Sequence, residues 1–390
     1  MQENHFFCAF IQKYTHAWEK EELCKIVNRV NKSSSANNLP KIELEDIVAG
    51  EGRLNKNVTR KFDDRKGIHF EENNILYGKL RPYLKKWLIP DFKGIALGDF
   101  WVLEAKDSIP IFDYFLIQSD KYQKVANNTS GTKMPRSDWK QVSTTEFYIP
   151  QNSEQTKIGN FFQVLDNLLT LHQRKCDKLK DLKKGYLQKM FPKGTEKIPE
   201  IRFINFDEEW EKRKAKNIFK SVSDKNHPDL PVLSASQEKG MILRSENGID
   251  IKYDKTSTKT YKQVLPGQFV IHLRSFQGGF AYSNVEGITS PAYTILDFID
   301  KGNQFPVFWK DILTSRDFIK RLETVTYGIR DGRSISFTEF STLNFYFPKI
   351  DEQTKIGDFF QTLDQQITQQ ESKLKHLKQL KKAYLQNMFV

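Results

Sequence analysis

The chain has 390 residues, 38% of them hydrophobic, and carries 61 basic against 49 acidic side chains for a formal charge of +12. That length allows two or three domains. No apolar run approaches the ~20 residues a membrane-spanning helix needs, and the opening MQENHFFCAF lacks a signal-peptide pattern. Three scattered cysteines, Cys8, Cys24 and Cys176, form no CxxC and suit a reducing cytoplasm rather than a disulfide framework. The moderate basic excess points to a polyanionic partner and to a globular reader rather than a disordered basic arm.

In chain order, HAWEKEELCKIVNRV reads as a short amphipathic piece and NKSSSANN as a polar linker, rich in turn formers. Short β-like runs follow: LPKIELEDIVAG, NILYGKLRPYLKKWLIP and GIALGDFWVLEA. PIFDYFLIQSDKYQKVA reads as helical, and the loop NNTSGTKMPRSDW closes a mixed α/β or α+β segment. A strand-like FYIP ends at Pro150, and a proline-free run capped by Ser153 predicts one long helix reaching Phe191.

After the linker FPKGTEKIPE the plan repeats. EEWEKRKAKNIF echoes HAWEKEELCKIV, QFVIHLRS stands where NILYGKLRP stood, and GITSPAYTILDF matches GIALGDFWVLEA. FPVFWKDILTSRDFIKRLE matches the helical run, and TYGIRDGRSISFTEF stands for TSGTKMPRSDW. FYFP then leads through Pro348 and Asp351 into a second long helix. The two helical segments, Phe147–Phe191 and Phe345–Phe389, align without a gap at an offset of 198 with 26 of 45 residues identical. Such an internal repeat governs every other reading.

In the first copy Ile158, Phe162, Leu165, Leu169, Cys176 and Leu179 keep heptad steps, with His172 in the one weak slot. In the second, Ile356, Phe360, Leu363, Ile367, Leu374 and Leu377 keep the same steps, with Gln370 in that slot. A 3.5-residue period asks for a partner helix along the seam, and the simplest partner is the other copy. The expected fold class is α+β: two α/β-type heads separated by two long helices that form an antiparallel coiled coil, with a pseudo-twofold internal repeat. The expected boundaries are 1–150, 151–192, 193–348 and 349–390. Heads that diverged while helices stayed alike suggest that each head binds something different.

The two EQTKIG–FF–LD helices with their KxLKxLKKxYLQxMF ends, and the IPEIRF…EEWEKR opening of the second half, resemble the specificity subunits of type I restriction-modification systems over essentially the whole chain. The resemblance implies two target-recognition domains, each reading one half of a split, asymmetric site in double-stranded DNA. It also implies two methyltransferase (M) subunits that methylate adenine and restriction/translocase (R) subunits as partners. S-adenosylmethionine, ATP and Mg²⁺ would belong to those partners, with no cofactor in this chain. The sequence departs from the family in two places. Trp18 is preceded by no counterpart of the PEIRF box before Trp210, and Met388-Phe389-Val390 lacks the proline found at Pro192.

Base readers are inferred from chemistry. Arginine and lysine suit guanine O6 and N7, and loops held by strands place them. Lys79, Arg81, Lys133 and Arg136 are the candidates in the first head; His272, Arg274, Arg330 and Arg333 are those in the second. Each could instead be a solvated or phosphate-touching charge. About 36 helical residues at ~1.5 Å each would span roughly 54 Å, against ~34–36 Å between successive major-groove faces, so the helices could act as a ruler. The lysine-rich helix ends read as a solvated face suited to a helix C-terminus.

Chain-borne catalysis has no visible apparatus. Asp91, Glu104 and Lys106 mimic a PD…ExK nuclease pattern that could hold a metal, but Phe298 sits where Ala105 would match and no Glu-x-Lys recurs. No GxxxxGK[ST], GxGxxG or Asn/Asp-Pro-Pro-Tyr/Phe run is present, and histidines and cysteines show no metal-ligand spacing. A non-catalytic reader is expected, with an adaptor bearing two protein-binding heads as the second reading.

Overall fold

The computed structural model describes residues 18–58, 64–129, 133–236, 239–247, 255–325 and 335–389. The chain divides into two units: Met1–Lys175 together with Gln370–Val390, and Cys176–Gln369. Helix α1 spans Asn152–Lys189 and helix α2 spans Ile350–Met388, so each unit contains the start of one long helix and the end of the other.

In unit 1, strands β1 (Val27–Val30), β2 (Ile75–Gly78), β3 (Trp87–Leu88) and β4 (Phe100–Ala105) form an antiparallel sheet in the order β1-β4-β2-β3. In unit 2, β5 (Phe219–Val222), β6 (Phe269–Ile271), β7 (Ala281–Tyr282) and β8 (Thr294–Phe298) repeat that order as β5-β8-β6-β7. At the foot of each unit Glu19–Glu22 pairs with Glu146–Ile149, and Glu211–Lys214 with Asn344–Phe347. A second small sheet in unit 1 joins Lys41–Ile42 in parallel to Gly94–Ala96; unit 2 has instead two antiparallel pairs, Leu233–Ser236 with Gly240–Leu243 and Lys262–Val264 with Gly287–Thr289, and a parallel bridge between Val232 and Ile288. The heads share a central sheet and differ at the periphery.

Two local readings are corrected. The expected amphipathic piece after Trp18 is a strand, one helical turn at Leu23–Ile26, and β1. The single helical run is two helices in each unit, because Ser119 and Ser315 each break in as N-caps, accepting from Tyr122 N and Phe318 N.

The retained residues of the repeat make the same contacts twice. Gln155 accepts from Ile109 N and donates to the Pro150 carbonyl; Gln353 accepts from Phe305 N and donates to the Pro348 carbonyl. Phe162 packs on Phe389 at 5.9 Å, and its equivalent Phe360 on Phe191 at 6.0 Å. Phe161–Tyr384 and Phe359–Tyr186 are edge-on pairs, both at 5.0 Å. Asp166 pairs with Lys381 at 2.7 Å and Asp364 with Lys183 at 2.6 Å. Within each unit, residues early in one long helix therefore face residues late in the other, so the pairing is antiparallel. At the midpoint His172 Nδ1 lies 2.8 Å from Gln370 Oε1, and these two residues are 198 apart, each facing its own equivalent in the repeat.

The apolar seam is continuous with each core. Ile158, Phe162 and Leu165 join Leu23, Tyr77, Trp101 and Phe115 in unit 1, where Leu377, Tyr384 and Phe389 also pack. Ile356, Phe360 and Leu363 join Trp210, Phe219 and Trp309 in unit 2, with Tyr186 and Phe191. The equivalent carboxylates Glu154 and Glu352 have different described partners. Trp18 Nε1 donates to Glu154 in unit 1, whereas in unit 2 Arg202 of the PEIRF run takes Glu352 bidentately at 2.9 and 2.7 Å.

Candidate nucleic-acid interface

Three loops converge at one edge of the unit 1 sheet. The chain leaving β2 pairs with the segment before Trp139: Arg81 N donates to the Pro135 carbonyl at 2.7 Å, Ser137 N to the Lys79 carbonyl at 2.9 Å, and Leu80 bridges Arg136. Lys79 N in turn donates to the Asp99 carbonyl at 2.9 Å, just ahead of β4. All four unit 1 candidates, Lys79, Arg81, Lys133 and Arg136, therefore come to one place from stretches up to 57 residues apart in sequence. The Asp99 carboxylate organises two of them: Arg136 reaches it through Nε and Nη2 at 3.2 and 3.0 Å, and Lys79 Nζ lies 3.7 Å away. An exposed arginine fork preset by a carboxylate keeps its planar donors in one orientation. Lys133 is exposed beside it.

The loop leaving β2 is held rigid by its backbone. Arg81 and Lys85 both adopt left-handed backbone, with φ of 49° and 53°, on either side of a 3₁₀ turn at Pro82–Leu84. Non-glycine residues there cost on the order of 1 kcal/mol or more each. Buried Pro82 and the bonds Leu84 N to the Arg81 carbonyl, Lys85 N to the Pro82 carbonyl and Gly50 N to the Lys85 carbonyl hold the turn.

In unit 2, His272 and Arg274 follow β6 at the matching point. His272 is half-buried, and burial, with Arg274 nearby, pushes its pKa down to about 4. Its Nδ1 accepts from Arg274 N at 3.3 Å, so at neutral pH it is an uncharged imidazole with Nε2 as donor. Arg274 is exposed. Arg330 and Arg333 lie outside the described residues. Asp91, Glu104 and Lys106 build no centre: Glu104 is exposed on β4 opposite Asn28, and among the described residues no three His, Cys, Asp or Glu side chains are grouped to hold a metal ion.

Choosing readers by donor chemistry passed over the apolar side chains at these edges. Tyr83, Leu84 and Met134 are 57%, 39% and 45% exposed beside Arg81 and Arg136, and Leu273 is 63% exposed between His272 and Arg274. It also missed Asp99, which no cation pattern in the sequence marks.

Unit 2 also holds a cleft of about 1220 Å³ between the end of α1, the helix Arg316–Glu323 and the foot strands. Aromatic Phe191 and Tyr346 line it alongside Lys184, Arg316 and Lys320, and these three cations have no ion-pair partner among the described residues. At equivalent positions of unit 1, Gln386 bonds Asp120 and Lys20 pairs with Glu146.

No helix among the described residues is long and apolar enough to cross a membrane. The family described as the type I restriction modification DNA specificity domain matches residues 18–181 and again 207–379. A type I restriction enzyme MjaVIII specificity subunit from Methanocaldococcus jannaschii is 28% identical over 138 residues; the match covers 34% of this chain and 32% of that protein, about a third of its length. Among solved structures, a type I restriction-modification S subunit from M. genitalium superposes with a TM-score of 0.64 at 14% identity, covering 97% of this chain and 98% of that one. A chain from a type I R-M system studied for complex assembly and conformational transition gives 0.51 at 15% identity, with 96% and 98% covered. At such identities the structures speak for the fold, and the family assignment rests on the two sequence matches that fall on the two halves of the repeat: the chain belongs to the type I restriction-modification DNA specificity family, whose domain it carries twice.

Proposed function

We propose that this chain is the sequence-reading subunit of a type I restriction-modification complex. Each unit reads one half of a split, asymmetric site in double-stranded DNA, and the assembly directs adenine methyltransferase (M) and nuclease-translocase (R) subunits to it. The observation that carries this reading is a contrast between the two units. They keep the helix-docking contacts residue for residue (Gln155 and Gln353, Phe162 and Phe360, Asp166 and Asp364) while the loop edges after β2 and β6 carry mostly different side chains around a shared Leu-Arg. A scaffold used twice with two unlike heads fits two unlike half-sites.

Arg136 and Arg274 are assigned to base edges and Lys133 to the phosphate backbone, because a preset guanidinium fork matches guanine O6 and N7 while an exposed lysine serves as a point charge. Mapping methylated adenines in cells carrying the wild type and single alanine variants tests the scheme. Arg136→Ala should relax one base in one half-site, and Arg274→Ala one base in the other, each discrimination shrinking by about 1–3 kcal/mol. Lys133→Ala should weaken all sequences evenly and flatten the salt dependence. Relaxation in both halves by one arginine variant would defeat the assignment of one head to one half.

A second reading, an adaptor whose heads bind protein, draws on the unit 2 cleft, whose aromatic floor and cationic rim suit an acidic, apolar protein segment. Gel shifts with competitor DNA over a salt range separate the two, since an adaptor retains no sequence-specific affinity.

A further inference from the structure

We propose that Tyr83, supported by Leu84, is an apolar wedge that leans into a base step of one half-site, and that Leu273 is its counterpart for the other. This rests on the DNA-reading assignment above and adds a mode of recognition that cation chemistry does not supply.

A tyrosine 57% exposed and a leucine 63% exposed leave more than half of their surface in water where they sit. Neither is among the buried residues of a hydrophobic cluster. Both follow the equivalent strand in sheets of the same order, Leu273 two residues after β6 and Tyr83 five residues after β2, in loops that share only the Leu-Arg of Leu80-Arg81 and Leu273-Arg274. In both, the apolar side chain neighbours an exposed arginine proposed to read a base edge.

Both tips are also held rigid. In unit 1 the two left-handed residues flanking Pro82–Leu84 keep strained backbone in place, and neighbouring loops tie the turn down through the Pro135 and Lys85 carbonyls. In unit 2, His272 N donates to Ser275 Oγ at 2.8 Å and Ser275 N to the His272 carbonyl at 3.0 Å, closing a tight turn under Leu273. Gly279 caps the short helix Ser275–Gly278 that follows the turn, at φ +79°, where a Cβ would meet the Leu313 carbonyl oxygen at 2.3 Å. A side chain meant only to be tolerated in water needs no such support. An apolar side chain that must enter between stacked bases does, because unstacking a step costs a few kcal/mol and a mobile tip would add its own ordering cost.

The test uses the full chain assembled with its methyltransferase subunits and duplexes carrying the site mapped from methylated adenines. 2-Aminopurine is placed at each position in turn except the methylated adenine, which the methyltransferase itself displaces from the stack. With wild type, fluorescence should rise several-fold at one step in the half-site read by unit 1 and at one in the other half. Tyr83→Ala should abolish the first rise alone, Leu273→Ala the second alone, and Tyr83→Phe should retain the first. Thermal unfolding unchanged in the alanine variants shows that the turns persist. No rise at any step, or a rise that survives Tyr83→Ala, overturns the wedge. So does a loss of binding reproduced in full by replacing a thymine with uracil, which would make the tip a methyl contact instead. If wild type shows no sequence-specific binding at all, it is the DNA-reading assignment that fails.

Discussion

At the scale of single residues, charge placement rather than charge count distinguishes the two edges. Asp99 sits between Arg136 and Lys79, so unit 1 presents a neutralised pair and an oriented fork. Unit 2 presents His272 as an uncharged ring next to Arg274. That ring has a thermodynamic consequence. Its folded pKa of about 4 lies below its ordinary value of 6.5, so between those pH values the unfolded chain binds a proton that the folded chain refuses. Stability contributed by the neutral ring is complete above pH 6.5 and declines as pH falls towards 4. Denaturant midpoints measured from pH 7 to 5 should therefore fall more steeply for wild type than for His272→Gln; parallel curves would show that the ring titrates freely. Donor chemistry made His272 and Arg274 legible as a pair. Asp99 was not legible, because its role depends on Arg136, 37 residues away, folding back onto it.

At the scale of elements, the identity between the long helices has two causes, and the periodicity disclosed only one. Ile158, Phe162 and Leu165 keep the heptad and bury as expected. But Gln155, Gly159 and their equivalents dock each helix on its own head. A Cβ on Gly357 would meet Phe305 Cε1 at 2.6 Å and Phe308 N at 3.0 Å, while Gly185 has nothing within 4 Å and its equivalent in the repeat is Ala383. Alanine gains up to ~1 kcal/mol over glycine inside a helix, and overpacking costs ~1–3 kcal/mol. Gly185→Ala should thus raise stability by up to ~1 kcal/mol, and Gly357→Ala should lower it by up to ~2 kcal/mol, as read from denaturant unfolding. Equal effects would mean the close approach at Gly357 relaxes freely.

The polar layer at His172 and Gln370 belongs to this scale too. Replacing His172 alone by leucine leaves the Gln370 amide, 4% exposed, without its partner, at a cost of about 1–3 kcal/mol. Changing both to leucine should recover most of that loss and weaken the preference for one register, since a lone polar layer in an apolar seam is what fixes alignment. A double variant as unstable as the single would remove the layer from the register-setting role. The equivalent ion pairs of the two units behave differently. Burial raises the pKa of Asp166, which faces Lys381 alone, whereas Asp364, also partly desolvated, is held low by Lys183 and Lys310 together.

At the scale of the whole molecule, a charge of +12 on 390 residues acts through the proposed DNA partner. Log affinity should fall linearly with log salt, with a slope of about −0.9 for each phosphate neutralised. Lys133→Ala should reduce that slope by about one, and Tyr83→Ala should leave it unchanged. A slope near zero for wild type would mean that the basic excess is solubility alone.

The sequence by itself determined the repeat, the helix pairing and the family, because those rest on period and identity, which are local properties of a string. The offset of 198 put His172 and Gln370 in the same weak slot of the two copies, and the structure shows that they meet. Tertiary structure alone decided which loops share an edge, which glycine is crowded, and which tyrosine stands in solvent on a strained turn. It also showed that Arg202 takes in unit 2 the carboxylate that Trp18 takes in unit 1. The physical reason is the same throughout. A backbone hydrogen bond such as Arg81 N to the Pro135 carbonyl joins residues far apart in the chain whatever their side chains, so it leaves no pattern in the sequence to be read.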